Sequence, residues 1–142
     1  MIIETKDLGF VEIDEKNIIS FPHGIYGFEN AVRFAMLKDN DDENPFMWLQ
    51  CVDDKFTSFI VIEPSSFVKD YTPRLSQKMK EEIKLVSDEV LRLAVICTIS
   101  GDFKKSSANL KSPIIINSID NIAIQAILED DCYSMTYPLF NE

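Results

Sequence analysis

Phe21-Pro22-His23-Gly24-Ile25-Tyr26-Gly27-Phe28-Glu29 sets a backbone path that few other compositions could follow. Pro22 holds φ near about −65° and removes a hydrogen-bond donor, while Gly24 and Gly27 admit positive φ or close backbone approach without a Cβ clash. The chain has only 4 glycines, so two of them within this stretch, set among aromatics and an isoleucine, read as a folded corner and not as a linker. The strand that leads into the corner must end there, because proline cannot donate to a ladder.

Outward from the corner, most periodic segments read as strands. Residues 10–13 alternate apolar and polar, 33–37 form a short apolar run, 46–52 and 58–62 carry aromatic and β-branched side chains, and 90–99 is a longer run of the same kind. Three late runs follow at 114–116, 122–128 and 133–137. Turn chemistry separates them, with Asp7-Leu8-Gly9, Asp53-Asp54-Lys55, Ser100-Gly101-Asp102 and Ser118-Ile119-Asp120-Asn121. The spacing predicts a mainly β fold, a compact antiparallel β-barrel or sandwich-like single domain over residues 1–142. One segment differs: Ser76 can cap a short amphipathic helix whose stripe is Leu75, Met79, Ile83 and Val86. Pro64 and Pro73 bracket a crossing segment that leads to it.

A chain of 142 residues, 46% hydrophobic, can bury enough surface to fold without disulfide or metal. The early charges Glu4, Lys6 and Asp7 do not suit a secretory signal, and no apolar run is long enough to span a bilayer, so a cytoplasmic location and no membrane partner are expected. Cys51, Cys97 and Cys132 are odd in number and scattered, which fits reduced thiols. The 24 acidic against 14 basic residues leave a formal net charge of −10. Such a surface repels a polyanion, which argues against direct nucleic-acid binding and favours a basic protein partner.

Catalytic chemistry finds little footing. His23 is the single histidine and has no Ser or Cys neighbour in an elbow motif. One histidine and three separated cysteines do not make a zinc cluster. Residues 39–44 place Asp39, Asp41 and Glu43 at alternate positions, as in a calcium loop, but Asn44 and Gln50 stand where that loop needs glycine and glutamate. No Gly-rich phosphate cradle is present, and no cofactor is expected.

Binding residues are easier to nominate. Three acidic islands stand out: Asp39 with Asp41, Asp42 and Glu43; Asp53 with Asp54; and Glu129, Asp130 and Asp131. If two shared a rim, their field would steer a basic partner. Exposed charges give little affinity by themselves, so apolar anchors are needed, and Phe46, Trp48 and Phe56 flank the first two islands. Core packing is the competing use of these aromatics.

Several of these pieces occur in an order that resembles the flagellar assembly factor FliW family: Ile18-Ile19-Ser20-Phe21-Pro22 with Gly24-Ile25 and Gly27-Phe28-Glu29, then Phe46-Met47-Trp48-Leu49-Gln50, Phe59-Ile60-Val61-Ile62-Glu63-Pro64, residues 108–117, and Gln125-Ala126-Ile127-Leu128-Glu129. The resemblance covers nearly the whole chain. It implies a non-enzymatic cytoplasmic factor that binds flagellin and, alternatively, the translational repressor CsrA, so that flagellin translation follows flagellin export. It further implies that RNA leaves CsrA through an allosteric disturbance; the free protein is expected to be monomeric. The rival reading is a small-molecule or flavin-binding split barrel, which would show a deep apolar pocket with convergent polar groups.

Overall fold

The computed structural model describes residues 1–140. A hairpin of β1 (Ile2–Glu4) and β2 (Phe10–Glu12) stands apart from one large sheet. That sheet contains β3 (Ile19–Ser20), β4 (Arg33–Leu37), β5 (Phe46–Cys51), β6 (Ser58–Ile62), β7 (Leu91–Thr98), β8 (Ser107–Ala108), β9 (Ile114–Asn117), β10 (Ile122–Gln125) and β11 (Tyr137–Pro138). Its order is β11-β8-β7-β6-β5-β4-β3-β10-β9, and β9 returns to pair with the N-terminal half of β7, Leu91 opposite Asn117 and Ala94 opposite Ile114. The ring from β7 through β6, β5, β4, β3, β10 and β9 is therefore closed: a β-barrel, as the strand spacing predicts. Closure removes the edges of those strands.

Alternation along the strands fills the barrel. Phe34 and Met36 on β4, Met47, Leu49 and Cys51 on β5, Phe59 and Val61 on β6, Ala94 and Ile96 on β7, Ile114 and Ile116 on β9 and Ala123 on β10 meet in one cluster. The opposite faces carry three smaller clusters. Ile3 and Ile13 pack the β1–β2 hairpin over Ala35, Leu37 and Trp48. The 64–73 crossing and the chain around Tyr133 to Leu139 cover Ile62, Val95 and Cys97. Helix α1 (Gln77–Glu82) brings fully buried Ile83 against Ile115, Ile124 and Ala126. Each such buried aliphatic or aromatic side chain contributes about 1.5–3 kcal/mol.

The corner closes one end of the barrel. Gly24 has φ +66° and Gly27 φ +87°. A Cβ on Gly24 would lie 2.6 Å from the Phe28 carbonyl oxygen and from Glu29 Cα, so only glycine fits. Residues 25–28 form a tight turn, Phe28 N donating to Ile25 O at 2.6 Å, with Gly27 in the place a type II turn reserves for glycine. The corner sends Phe21 and Ile25 inward as buried plugs; Phe21 meets Phe34 edge-to-face at 5.0 Å and Phe28 meets Phe59 at 5.1 Å. Tyr26 N donates to Gln125 Oε1 at 3.1 Å and ties the corner to β10.

Four details differ from the sequence expectation. The barrel is antiparallel except at β3 and β10, which run parallel with Ser20 opposite Ile122. The 122–128 run ends as regular strand at Gln125; beyond it Ala126 N and Leu128 N donate to the carbonyls of Pro113 and Lys111, past the start of β9. The 133–137 run is mostly loop, and only Tyr137 and Pro138 pair, against β8. Val86 lies outside the helix and is 97% exposed, because Lys84 adopts φ +55° just after Ile83 and turns the chain away. Ser76 caps α1 as expected, its hydroxyl accepting from Met79 N at 3.1 Å.

Candidate functional site, a protein-binding surface

The β5–β6 turn carries the Asp53–Asp54 island at the corner end of the barrel. Arg33 on β4 pairs with Asp53, its Nε donating to Oδ2 at 3.1 Å, and this hydrogen bond, with the attraction of the guanidinium, holds the Asp53 carboxyl below its usual range. Asp54 shapes the turn, with Oδ1 accepting from Phe56 N at 3.0 Å and Oδ2 from the Thr57 hydroxyl at 2.9 Å. Phe56 is thrust outward, 72% exposed, with Lys55 Nζ 5.1 Å from its ring centre. Lys55 also pairs with Glu4 at 2.9 Å.

Sequence reasoning missed what supports this turn. Gln50 is buried on β5, and its Nε2 lies within hydrogen-bond distance of the carbonyls of Cys51, Asp54, Lys55 and Thr57, at 3.1 to 3.4 Å. A lone glutamine in an apolar strand, followed at once by an Asp-rich turn, was the available signal. Beside the turn lies an open cleft of about 440 Å³, lined by the stretch from Gly27 to Ala31 with Cys51, Asp53, Asp54 and Thr57. Phe28, which lines it, and Phe56, on the adjoining turn, are exposed, next to Glu29, while exposed Tyr26 lies on the β10 side of the corner with Gln125. Acidic groups and unburied aromatics thus share one face, the chemistry of a protein contact.

The other nominated residues lie elsewhere. Residues 39–43 link β4 to β5 at the end opposite the corner, where Asp39 accepts from Asp41 N at 2.9 Å and Asp41 from Glu43 N at 3.0 Å. Asp42 is exposed, and its carbonyl accepts from Lys38 Nζ at 3.4 Å. Glu129, Asp130 and Asp131 follow the extension of β10 beyond the corner end, with Asp131 3.9 Å from Lys111 Nζ. The topology therefore does not gather all three islands on one rim. Phe46 is half-buried, 6.3 Å from Phe103, and Trp48 is half-buried under the β1–β2 hairpin, so of the three nominated aromatics Phe56 alone projects freely.

Among the described residues no group of three or more His, Cys, Asp or Glu is arranged to hold a metal, and no helix is long and apolar enough to cross a membrane. His23 is exposed on the corner. Cys51 and Cys97 are buried and Cys132 is exposed, all as free thiols; burial pushes the Cys97 thiol up to about 12. The clefts beside the 64–73 crossing, between the ends of β4, β5, β7 and β9, and beside the corner are open to solvent.

The family profile described as FliW protein matches residues 2–139. The chain belongs to the FliW family. It is 37% identical over 142 residues to the flagellar assembly factor FliW of Thermoanaerobacter pseudethanolicus, covering 100% of this chain and 95% of that one. To the flagellar assembly factor FliW of Syntrophus aciditrophicus it is 37% identical over 139 residues, covering 98% of this chain and 87% of the relative. A crystal structure of the flagellar assembly factor FliW superposes with a TM-score of 0.92 at 34% identity, over 100% of this chain and 99% of the other. The resemblance read from the corner and the strand order thus holds along the FliW chain. As a FliW protein it is a flagellar assembly factor, and a flagellar protein is its expected kind of partner.

Proposed function

We propose that this FliW protein acts in the cytoplasm, as a single domain and as a monomer when free, by binding flagellin and, alternatively, CsrA. It performs no catalysis. When exported flagellin vacates the protein, the protein captures CsrA and relieves repression of flagellin translation; when flagellin accumulates, it reclaims the protein and repression returns. The switch is mass action between exclusive ligands. The observation that carries this reading is full-length membership of the FliW family, and the net charge of −10 supports it, because an RNA-binding repressor must present basic surface. The face with Glu29, Asp53, Asp54 and exposed Phe56 offers steering charge and an apolar anchor together. The RNA need not be displaced directly; capture of CsrA beside its RNA site, with an allosteric disturbance, uses the same charges.

The test is a fluorescent target RNA bound to CsrA. Added protein should release the RNA without binding it, and added flagellin should restore the complex. Release that flagellin does not reverse would contradict the exclusive switch.

A further inference from the structure

The barrel has a second end, and it is open. The inward rows that meet around Phe21, Phe34 and Phe59 run the other way to Ile19, Met36, Met47, Ala94 and Ile116, which floor a recess of about 470 Å³. One step further along the same rows stand Glu63 beyond Val61, Arg92 before Ala94, Ser118 beyond Ile116 and Asn121 before Ala123, with Asn17 ahead of Ile19; all five line the recess. Register thus turns barrel interior into a polar rim at this end. Met36 and Met47 point inward yet are only half-buried, and Ile119, on the β9–β10 turn at the rim, is 72% exposed. An apolar floor of adaptable thioethers with a polar collar is a receptor for one apolar side chain.

The surrounding charge says what that side chain comes with. The acidic loop 39–43 leaves β4 directly above Met36 and returns at Phe46 beside Met47. Glu63 on the collar and Asp14 and Glu15 on the approach to β3 add carboxylates at this end, against Lys16, Lys38 and Arg92, while Asp120 is turned to Asn117 Nδ2, at 3.2 Å, on the side that α1 covers. We propose that the open barrel mouth at Met36 and Met47 docks a basic segment of a protein partner, which inserts one aliphatic or aromatic side chain and sets flanking Lys or Arg against the carboxylates. This rests on the reading above that the chain works by binding proteins. It adds a contact at the opposite end from the Asp53–Asp54 face, and it gives the loop 39–43 its place in recognition. Asn121 Nδ2 donates to Lys16 O and the Ser118 hydroxyl to Val90 O, each at 2.8 Å, which fixes this part of the collar, and the Asn17 amide can meet the backbone of such a segment.

The test uses the full chain with 13C-labelled methionine methyls. Acetyl-Lys-Lys-Leu-Lys-Lys-amide should shift the Met36 and Met47 signals saturably and leave Met135 still, while the same peptide with central Ala should bind at least tenfold more weakly. An equal response to a Glu-flanked Leu peptide would overturn the proposal, as would changes at Met36 and Met47 that grow with protein concentration alone, which would mean a second copy fills the mouth. Flagellin and CsrA should each be tried against wild type and Ile119→Asp, a rim change that buries nothing new. Loss of tenfold or more in affinity for one of them, with Met36 and Met47 shifting in its wild-type complex, supports the docking site. Full binding of both partners by the variant, with both methyls unmoved by partner or peptide, sinks the docking site and leaves the proposed function standing. If wild type binds neither partner but the Leu peptide still shifts both methyls, the proposed function fails and the mouth survives.

Discussion

A methyl group at position 24 would meet the chain's own backbone, not a side chain that could swing aside. Gly24 lies at φ +66° with the Phe28 carbonyl and Glu29 Cα each 2.6 Å from where a Cβ would be. Gly24→Ala should therefore destabilise the fold by roughly 2–4 kcal/mol, the left-handed conformation and the overpacking adding together. Urea unfolding measures it; a loss under about 0.5 kcal/mol, the size of an ordinary surface change, would show that the corner can relax. Gly27 shares the positive φ, but a Cβ there would have no neighbour within 4 Å, so the same change meets conformational strain alone. Two glycines close together in sequence thus serve different purposes: one for a turn, the other for a close backbone approach. Sequence marks both; only the packing tells them apart.

The crossing segment shows how elements here are fastened. Tyr71 donates its hydroxyl to Leu110 O at 2.6 Å, Tyr133 stands edge-on to it at 4.8 Å, and Tyr133 Oη accepts from Thr72 N at 3.1 Å. Burial, with the nearby Tyr133 adding to it, raises the Tyr71 pKa well above its ordinary 10. A raised folded-state value means that this contribution to stability is complete below the unfolded pKa of about 10 and is lost as pH climbs from there toward the folded value. Tyr71→Phe should cost about 1 kcal/mol near neutrality, and its stability should fall less steeply than wild type above about pH 10. Parallel alkaline slopes for the two proteins would remove the assignment. The longer strands were legible because alternation survives along them: 33–37 and 58–62 match their strands at both ends. Ile19–Ser20 and Ser107–Ala108 are too short to show a period, and they exist because neighbours offer them partners. The apolar run 122–128 looks uniform, yet its last residues pair with the irregular chain around Pro113, a fact of tertiary context. Val86 fits a helical stripe by spacing, but the helix stops before it. The acidic islands were plain in the sequence. Which end of the barrel each occupies was not, because that follows from strand order, and strand order is not written in any local pattern.

Across the whole molecule, a net charge of −10 should govern how fast partners arrive more than how tightly they stay. The association rate with CsrA should fall roughly tenfold or more between about 0.01 M and 1 M salt, while dissociation changes far less. Stopped-flow or surface binding kinetics would show it, and a rate indifferent to salt would strip the islands of any steering role. The seam of the barrel has a further bearing. Ser20 lies beside Ile122, and β9 closes against β7 in the same region, so the ring is completed only by contacts between distant parts of the chain. Such pairings are slow to form, because a long loop must be closed before they repay its entropy. A polypeptide still on the ribosome cannot assemble this cylinder until β10 has emerged, and a product cut short before that strand would have no sealed wall on which to hold a partner. Competence to bind would then arrive all at once, with the emergence of that strand.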